Sequence, residues 1–242
     1  MSEAASLRHL PAPVIMAQRP VEKRHWLDPV EQAVTFLPEK FNRKRARVHL
    51  DAMCDAVLAA DDQFRALSAA ALATETAQVR DALRRARFGD DEVVQAMALV
   101  REISARELGM RHYRCQVLGA LTLINGRLAE MDTGEGKTLT GSLAAAVAAL
   151  AGVPTHVVTV NDYLAARDAD LMMPVYNSLG LRVGVIQADL ETPERQAAYA
   201  ADITYCTNSE VAFDHLRDRL AIGRGVSPLR MKVDRLTGRG NI

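Results

Sequence analysis

Gly134, Glu135, Gly136, Lys137 and Thr138 stand in a row, and these residue types at this spacing suit one chemistry, the holding of a polyphosphate. A glycine-rich loop brings backbone N–H groups onto an anion, a lysine reaches the terminal phosphates, and a hydroxyl holds Mg2+. Glycine lets the backbone approach the anion and take positive φ, where a Cβ would clash. A helix that starts at such a loop adds its positive N-terminal end. The full octapeptide, Met131-Asp-Thr-Gly-Glu-Gly-Lys-Thr138, departs from the regular pattern at Met131, where a glycine is usual. An ordinary turn with solvated lysine and threonine is the alternative, and the flanking elements decide between them.

Those elements suit a phosphate-binding loop. Gly126 to Met131, with apolar Leu128, Ala129 and Met131, reads as a buried strand running into the loop. After Thr138 comes an apolar stretch rich in helix formers that stops at Gly152. Strand, glycine loop and helix is the arrangement the chemistry requires. Further on, His156–Val160 reads as a strand, with Asn161 or Asp162 capping a helix through Leu179 that Gly180 ends. Leu181–Ile186 forms the next strand, Thr192-Pro193 opens a helix, Asp202–Thr207 is another strand, and a helix capped near Asn208 or Ser209 follows. Such alternation predicts an α/β fold whose parallel sheet is covered by helices on both faces, with the loop at a strand's C-terminal edge.

The N-terminal half is different in kind. Residues 1–40 hold five of the nine prolines and read as an irregular arm. From there to 109 the sequence predicts an α-helical region. Val48 to about Arg87 lacks Gly and Pro and repeats apolar residues at helical spacing; Phe88-Gly89-Asp90 breaks it. Asp90 is expected to cap a second helix, with Val93, Val94, Met97, Val100, Ile103 and Leu108 on one face and Gly109 at its end. Arg43, Lys44, Arg45 and Arg47 form a basic run, most simply a solvated helix face, with an acidic membrane surface or partner as the alternative.

The 242 residues carry zero formal net charge, 49% hydrophobic and 25% charged residues, a globular composition without sign of disorder. Neutrality argues against a protein driven to nucleic acid by its overall charge. Cys54, Cys115 and Cys206 are odd in number and widely spaced, so no zinc site or disulfide framework is expected; they read as buried apolar residues in a reducing compartment. The N-terminus lacks the apolar core of a signal peptide. The longest mainly apolar run, Leu143–Val153, is too short to span a bilayer.

Five segments, in order, resemble those of SecA, the ATP-driven motor of bacterial preprotein translocation. They are Met110-Arg-His-Tyr-Arg-Cys-Gln-Val-Leu-Gly, Glu130-Met-Asp-Thr-Gly-Glu-Gly-Lys-Thr-Leu-Thr, His156-Val-Val-Thr-Val-Asn-Asp-Tyr-Leu-Ala, Tyr199-Ala-Ala-Asp-Ile-Thr-Tyr and Phe213-Asp-His-Leu-Arg-Asp. The resemblance spans about residues 105 to 220 and accounts for Met131, since that family carries methionine there. It implies a motor related to the superfamily 2 helicases, with ATP and Mg2+ between two RecA-like domains and polypeptide driven through the SecYEG channel. It implies a cytoplasmic protein, peripheral at the inner membrane, that binds SecYEG and preproteins. By matching positions, Gln116 reads the adenine, Met110, Arg111 and Tyr113 line that side of the pocket, and Gly134, Glu135, Gly136, Lys137 and Thr138 bind the phosphates, Thr138 reaching Mg2+ through ATP. Asp162 and Arg167 match a segment that in helicase relatives lies near the translocating polymer.

Two departures qualify this reading. Asp132 stands where well-known members have arginine, and a carboxylate beside a triphosphate is unhelpful unless it faces away or meets a cation. In addition, the family's Asp-Glu pair should follow the Leu216-Arg-Asp segment, whereas residues 223–242 read as a basic tail or truncated loop. Phosphoryl transfer needs such a pair and an arginine. The expected organisation is thus an arm (1–40), a helical region (41–109), a partial RecA-like nucleotide-binding domain (110–222) and a tail (223–242). The expected function is ATP binding within a translocase, without hydrolysis by this chain alone. The alternatives are a superfamily 2 helicase fragment, disfavoured by neutral charge and the lack of an aromatic and basic stripe, and a non-enzymatic interaction module.

Overall fold

A computed structural model describes residues 45–86 and 88–222. The expected arm, the basic residues Arg43 and Lys44, and the tail lie outside the described residues. Four helices come first: α1 (45–59), α2 (Asp61–Arg65), α3 (Ala69–Ala86) and α4 (Asp90–Leu108). Then follow α5 (Arg114–Ile124), α6 (Lys137–Leu150), β1 (Thr155–Thr159), α7 (Asp162–Ser178), β2 (Val183–Val185), α8 (Thr192–Tyr199), β3 (Ile203–Thr207) and α9 (Asn208–Ile222). The sheet is parallel with order β1-β3-β2, which confirms a partial RecA-like α/β arrangement preceded by helices.

The central strand β3 is buried along its whole length, as a parallel strand covered on both faces must be. Tyr205 points to one face, where its hydroxyl meets Tyr176 of α7 at 2.9 Å and Ser142 of α6 at 3.3 Å. Thr204 points to the other, donating to the Ala198 carbonyl of α8 at 2.9 Å. Gly184 of β2, paired with Thr204, lies so close to α8 that a Cβ would collide with the Ala198 backbone. Arg195 ties α8 to α9 through Glu210 (2.6 Å) and Asp214 (3.0 Å).

Helix α4 runs through the interior. Its residues Ala96 to Ser104 are all buried, and it packs on α2, α3, α6 and α7. Arg101 and Glu102 are therefore buried charges that must be paired. Arg101 bonds Asp61 and donates twice to the His112 carbonyl, at 3.2 and 2.8 Å. Glu102 accepts from Arg106 at 2.7 Å and from Arg111. Ser104 donates to the Met110 carbonyl at 2.7 Å. The chain leaving the left-handed turn at Gly109 is thus fixed residue by residue. On the far side, Arg84 of α3 donates to Leu150 at the end of α6, and Arg80 to Leu179 and Gly180 at the end of α7. Both guanidinium groups meet the negative ends of helix dipoles.

Several local expectations change. Residues 48–87 are not one helix, because the chain turns after α1 and again at Ser68, whose hydroxyl accepts the Ala71 N–H. Gly89, not Asp90, is the N-cap of α4. Phe88 takes φ +68, so the acidic residues fall in the first turn, facing the helix dipole. Asn161 caps α7 by accepting the Leu164 N–H at 2.8 Å, while Asp162 accepts from Ala188 at 3.0 Å. Thr207, rather than Asn208 or Ser209, accepts the Glu210 N–H at the start of α9. Gly126–Met131 is not a strand. The chain leaves α5 with Gly126 at φ +67, Leu128 is 92% exposed, and β1 pairs only with β3 among the described residues. An extended segment without a ladder partner has nothing to make it a strand. Cys54 and Cys206 are buried as expected, but Cys115 is exposed, on the outer side of α5. Among the described residues no helix is long and apolar enough to cross a membrane.

Two outcomes test this packing. Gly184→Ala should lower the urea-unfolding free energy by about 1–3 kcal/mol, since the added methyl meets backbone that cannot rotate away. His112 is buried against α6, its Nε2 3.1 Å from the Leu139 carbonyl and its Nδ1 without a partner among the described residues. Burial pushes its pKa from 6.5 down to about 4, with Arg101 and Arg111 acting in the same direction and the Leu139 carbonyl opposing. The unfolded chain then binds a proton that the folded one refuses, so stability falls as pH drops from 6.5 towards 4. Between pH 7 and pH 5 the protein should lose about 2 kcal/mol more than its His112→Gln variant in denaturant titrations.

Candidate nucleotide-binding site

The loop from Met131 to Gly136 joins α5 to α6 and is held from two sides. On one side is Gln116, in the first turn of α5 and only 5% exposed. Its Oε1 accepts the Tyr113 N–H at 3.0 Å, and its Nε2 donates to the Glu135 carbonyl at 2.9 Å. This amide fixes both the start of α5 and the loop. Gly136 stands against it at φ +82, and a Cβ there would run into Nε2. Gly134, at φ +95, makes the other turn that a side chain resists.

Helix packing sets the loop's depth. At Gly119 on α5, a Cβ would come within 2.8 Å of Thr140 Cγ2 and 3.3 Å of Met131 Sδ. The bare glycine lets α5 and α6 cross closely, and the Met131 thioether fills the space beside it. That gives a physical reason for methionine where other phosphate loops carry glycine.

Within the loop, Glu135 folds back so that its Oε2 accepts the Asp132 N–H at 2.9 Å. The Asp132 carbonyl accepts the Lys137 ammonium at 2.8 Å. Asp132 itself is exposed. Gly136 is the N-cap of α6, and no side chain among the described residues caps its first turn, which leaves the N-terminal dipole open to an anion.

The second side is α7. The Thr138 hydroxyl donates to Asp168 Oδ2 at 3.2 Å, and Arg167 holds Asp168 Oδ1 through Nε and Nη2 at 2.9 and 2.6 Å. Beneath, Ser142 donates to the Thr138 carbonyl at 2.7 Å and links to the Tyr205–Tyr176 pair. Burial raises both phenol pKa values, so the two hydroxyls stay neutral hydrogen-bonding groups.

Gln116 and Gly134 to Thr138 are therefore brought together. Met110, Arg111 and Tyr113 lie on the segment leading into α5, with different surroundings. Tyr113 is 74% exposed and Met110 is also exposed, while the Arg111 guanidinium is turned to Glu102 and Asp61. Arg167 meets Asp168, and Asp162 holds the 188 backbone. Asp168 was not foreseen. Its only local signal is an Arg-Asp pair inside an amphipathic helix, and its partner lies 30 residues away on another helix.

The family described as the SecA DEAD-like domain matches residues 36–232. The chain is 43% identical over 215 residues to protein translocase subunit SecA 3 of Magnetococcus marinus, covering 89% of this chain and 32% of that protein. It is 50% identical over 168 residues to protein translocase subunit SecA of Chromohalobacter salexigens, covering 69% of this chain and 18% of the relative. Against the Neisseria meningitidis protein translocase subunit SecA the identity is 52% over 162 residues, 67% of this chain and 18% of the relative. The chain thus spans about a third or less of the length of these relatives. The loop with its methionine, the glutamine on its flank and the helical region that anchors both stand in a chain that belongs to the SecA DEAD-like domain family.

Proposed function

We propose that this chain is the ATP-binding segment of a SecA-like protein translocase, a part of the machinery for protein targeting and preprotein export through the SecYEG channel. The observation that supports this best is the pairing of two positive-φ glycines with Lys137 and Thr138 at an uncapped helix N-terminus, flanked by the buried Gln116 amide. The donor set suits a magnesium nucleotide. Backbone N–H groups at the start of α6 suit an anion, the Lys137 ammonium is bound, among the described residues, by a carbonyl that a phosphate can replace, and the Thr138 oxygen retains lone pairs. When bound, Mg2+ offsets charge on the phosphates. Lys137 holds the terminal phosphates and Gln116 fixes the loop while its flank meets the adenine, alongside Met110, Arg111 and Tyr113.

Nucleotide holding is the activity assigned to these 242 residues. Hydrolysis and polypeptide movement belong to the full-length motor, at the cytoplasmic face of the inner membrane, with SecYEG and preproteins as partners.

Titration with a fluorescent ATP analogue and Mg2+ tests the site. Lys137→Ala should weaken binding about thirtyfold or more, the loss expected when one partner of a desolvated charge contact is removed. Gln116→Ala should weaken ATP binding and reduce the preference for ATP over GTP. Unchanged affinity in both variants would place the nucleotide elsewhere. Association with SecYEG vesicles, compared with single-stranded RNA, tests the translocase assignment; binding to RNA alone would reverse it.

A further inference from the structure

Three hydroxyls project from the first turns of α6, and two of them follow the usual habit of helical Ser and Thr. Thr140 donates to the Gly136 carbonyl at 3.2 Å and Ser142 to the Thr138 carbonyl at 2.7 Å, each four residues back. Thr138 does not. Its proton is drawn off the helix to Asp168 Oδ2 on α7, 3.2 Å away. Asp168 is only 8% exposed. Its carboxylate cannot turn freely, because both Arg167 contacts fall on Oδ1 and leave Oδ2 for the threonine.

A hydroxyl has one proton and two lone pairs. Once the proton is committed to a fixed carboxylate, the direction of the lone pairs is fixed too. In a phosphate loop that threonine's oxygen is the protein's ligand to Mg2+. Building on the nucleotide reading above, we infer that Asp168 is a positioning residue for the metal: it accepts the Thr138 proton, orients the oxygen towards Mg2+ and acts as an outer-sphere carboxylate. Arg167 offsets the cost of burying that carboxylate and sets its rotation. A buried carboxylate satisfied by one half-exposed guanidinium and one neutral hydroxyl also favours the arrival of a further positive charge.

A purely structural role, tying α7 to α6, would weaken nucleotide binding with and without metal alike. A positioning role weakens only the metal-dependent part. The test is a fluorescent ADP titration of the full 242-residue chain in Mg2+ and in EDTA, for wild type, Asp168→Ala, Asp168→Asn and Thr138→Val. Asp168→Ala should reduce the Mg2+ enhancement by about tenfold, the equivalent of one hydrogen bond to a charged group, and leave affinity in EDTA unchanged. Asp168→Asn keeps an accepting oxygen without the charge and should lie between; it carries the test if Asp168→Ala fails to fold by circular dichroism. Adding Asp168→Ala to Thr138→Val should have no further effect on the enhancement, because both remove the same contact. A wild-type-sized enhancement in both Asp168 variants, or equal losses in Mg2+ and EDTA, would overturn the inference and leave the nucleotide site standing. Wild-type binding that ignores Mg2+ would also overturn it alone. No nucleotide binding by wild type in either condition would overturn both.

Discussion

The interior of this fold depends on pairing the charges that α4 carries into it. Arg101 and Glu102 are buried, and each has at least one partner from outside α4. Arg101 takes Asp61 and the His112 carbonyl, and Glu102 takes Arg106 and Arg111. Leaving one such charge unpaired costs about 3–5 kcal/mol, more than most single packing contacts. The partners are therefore not free to drift. Two of them, Arg111 and His112, sit in the connection, residues 109–113, that leads into α5. The backbone that ends at Tyr113 inherits its position from an ion network, and Gln116 inherits its own from Tyr113. His112 adds a direct strut to the Leu139 carbonyl in the first turn of α6.

The consequence is that the helical region is part of the site. The described residues from Ala46 onward belong to one compact unit, and one route from α2 and α4 to the phosphate loop runs from Arg101 to His112, from Tyr113 to Gln116, and from Gln116 to Glu135. The arginines of α3 act at the opposite ends of the same helices, closing the C-termini of α6 and α7. Together with Tyr205 of β3, which meets Ser142 of α6 and Tyr176 of α7, these contacts fix the mutual position of α6 and α7 on which the Thr138–Asp168 contact depends.

What the sequence made legible was mainly what local chemistry decides. The apolar run after Thr138, the β-branched runs at His156–Val160 and Asp202–Thr207, and the glycines at 109, 152 and 180 each carry their own signal, and the elements formed accordingly. Caps were legible to within a residue, because Gly89 against Asp90, or Thr207 against Asn208, depends on where one φ angle turns. The segment 126–131 failed for a different reason. Its composition suits a strand, but a strand exists only through a partner, and pairing is not written in the segment itself. Cys115 failed likewise, since exposure depends on which face of α5 meets α6. Asp168 was invisible because an Arg-Asp pair on a helix normally marks a solvated face; only the crossing of α6 and α7 turns it inward. Gln116 became legible through resemblance, and the structure adds the reason a glutamine suits that place. One amide must accept from Tyr113 and donate to Glu135 at once, and no carboxylate or ammonium can do both.

The two flanks of the loop differ in what holds them, and that difference bears on how the site works. The Gln116 flank is tied by backbone-directed hydrogen bonds to a neutral amide, and it answers to the helical region. The Thr138 flank is tied through a charged pair on α7, and it answers to the element that follows β1. Between them, among the described residues, the Glu135 and Lys137 side chains hold the exposed tip through the Asp132 backbone. On the proposed nucleotide reading, a polyphosphate would compete for those tip contacts without disturbing either flank, because the ammonium can exchange a carbonyl for a phosphate oxygen while Gln116 and Asp168 keep their partners. Rigid flanks around an exchangeable tip cost little reorganisation on binding.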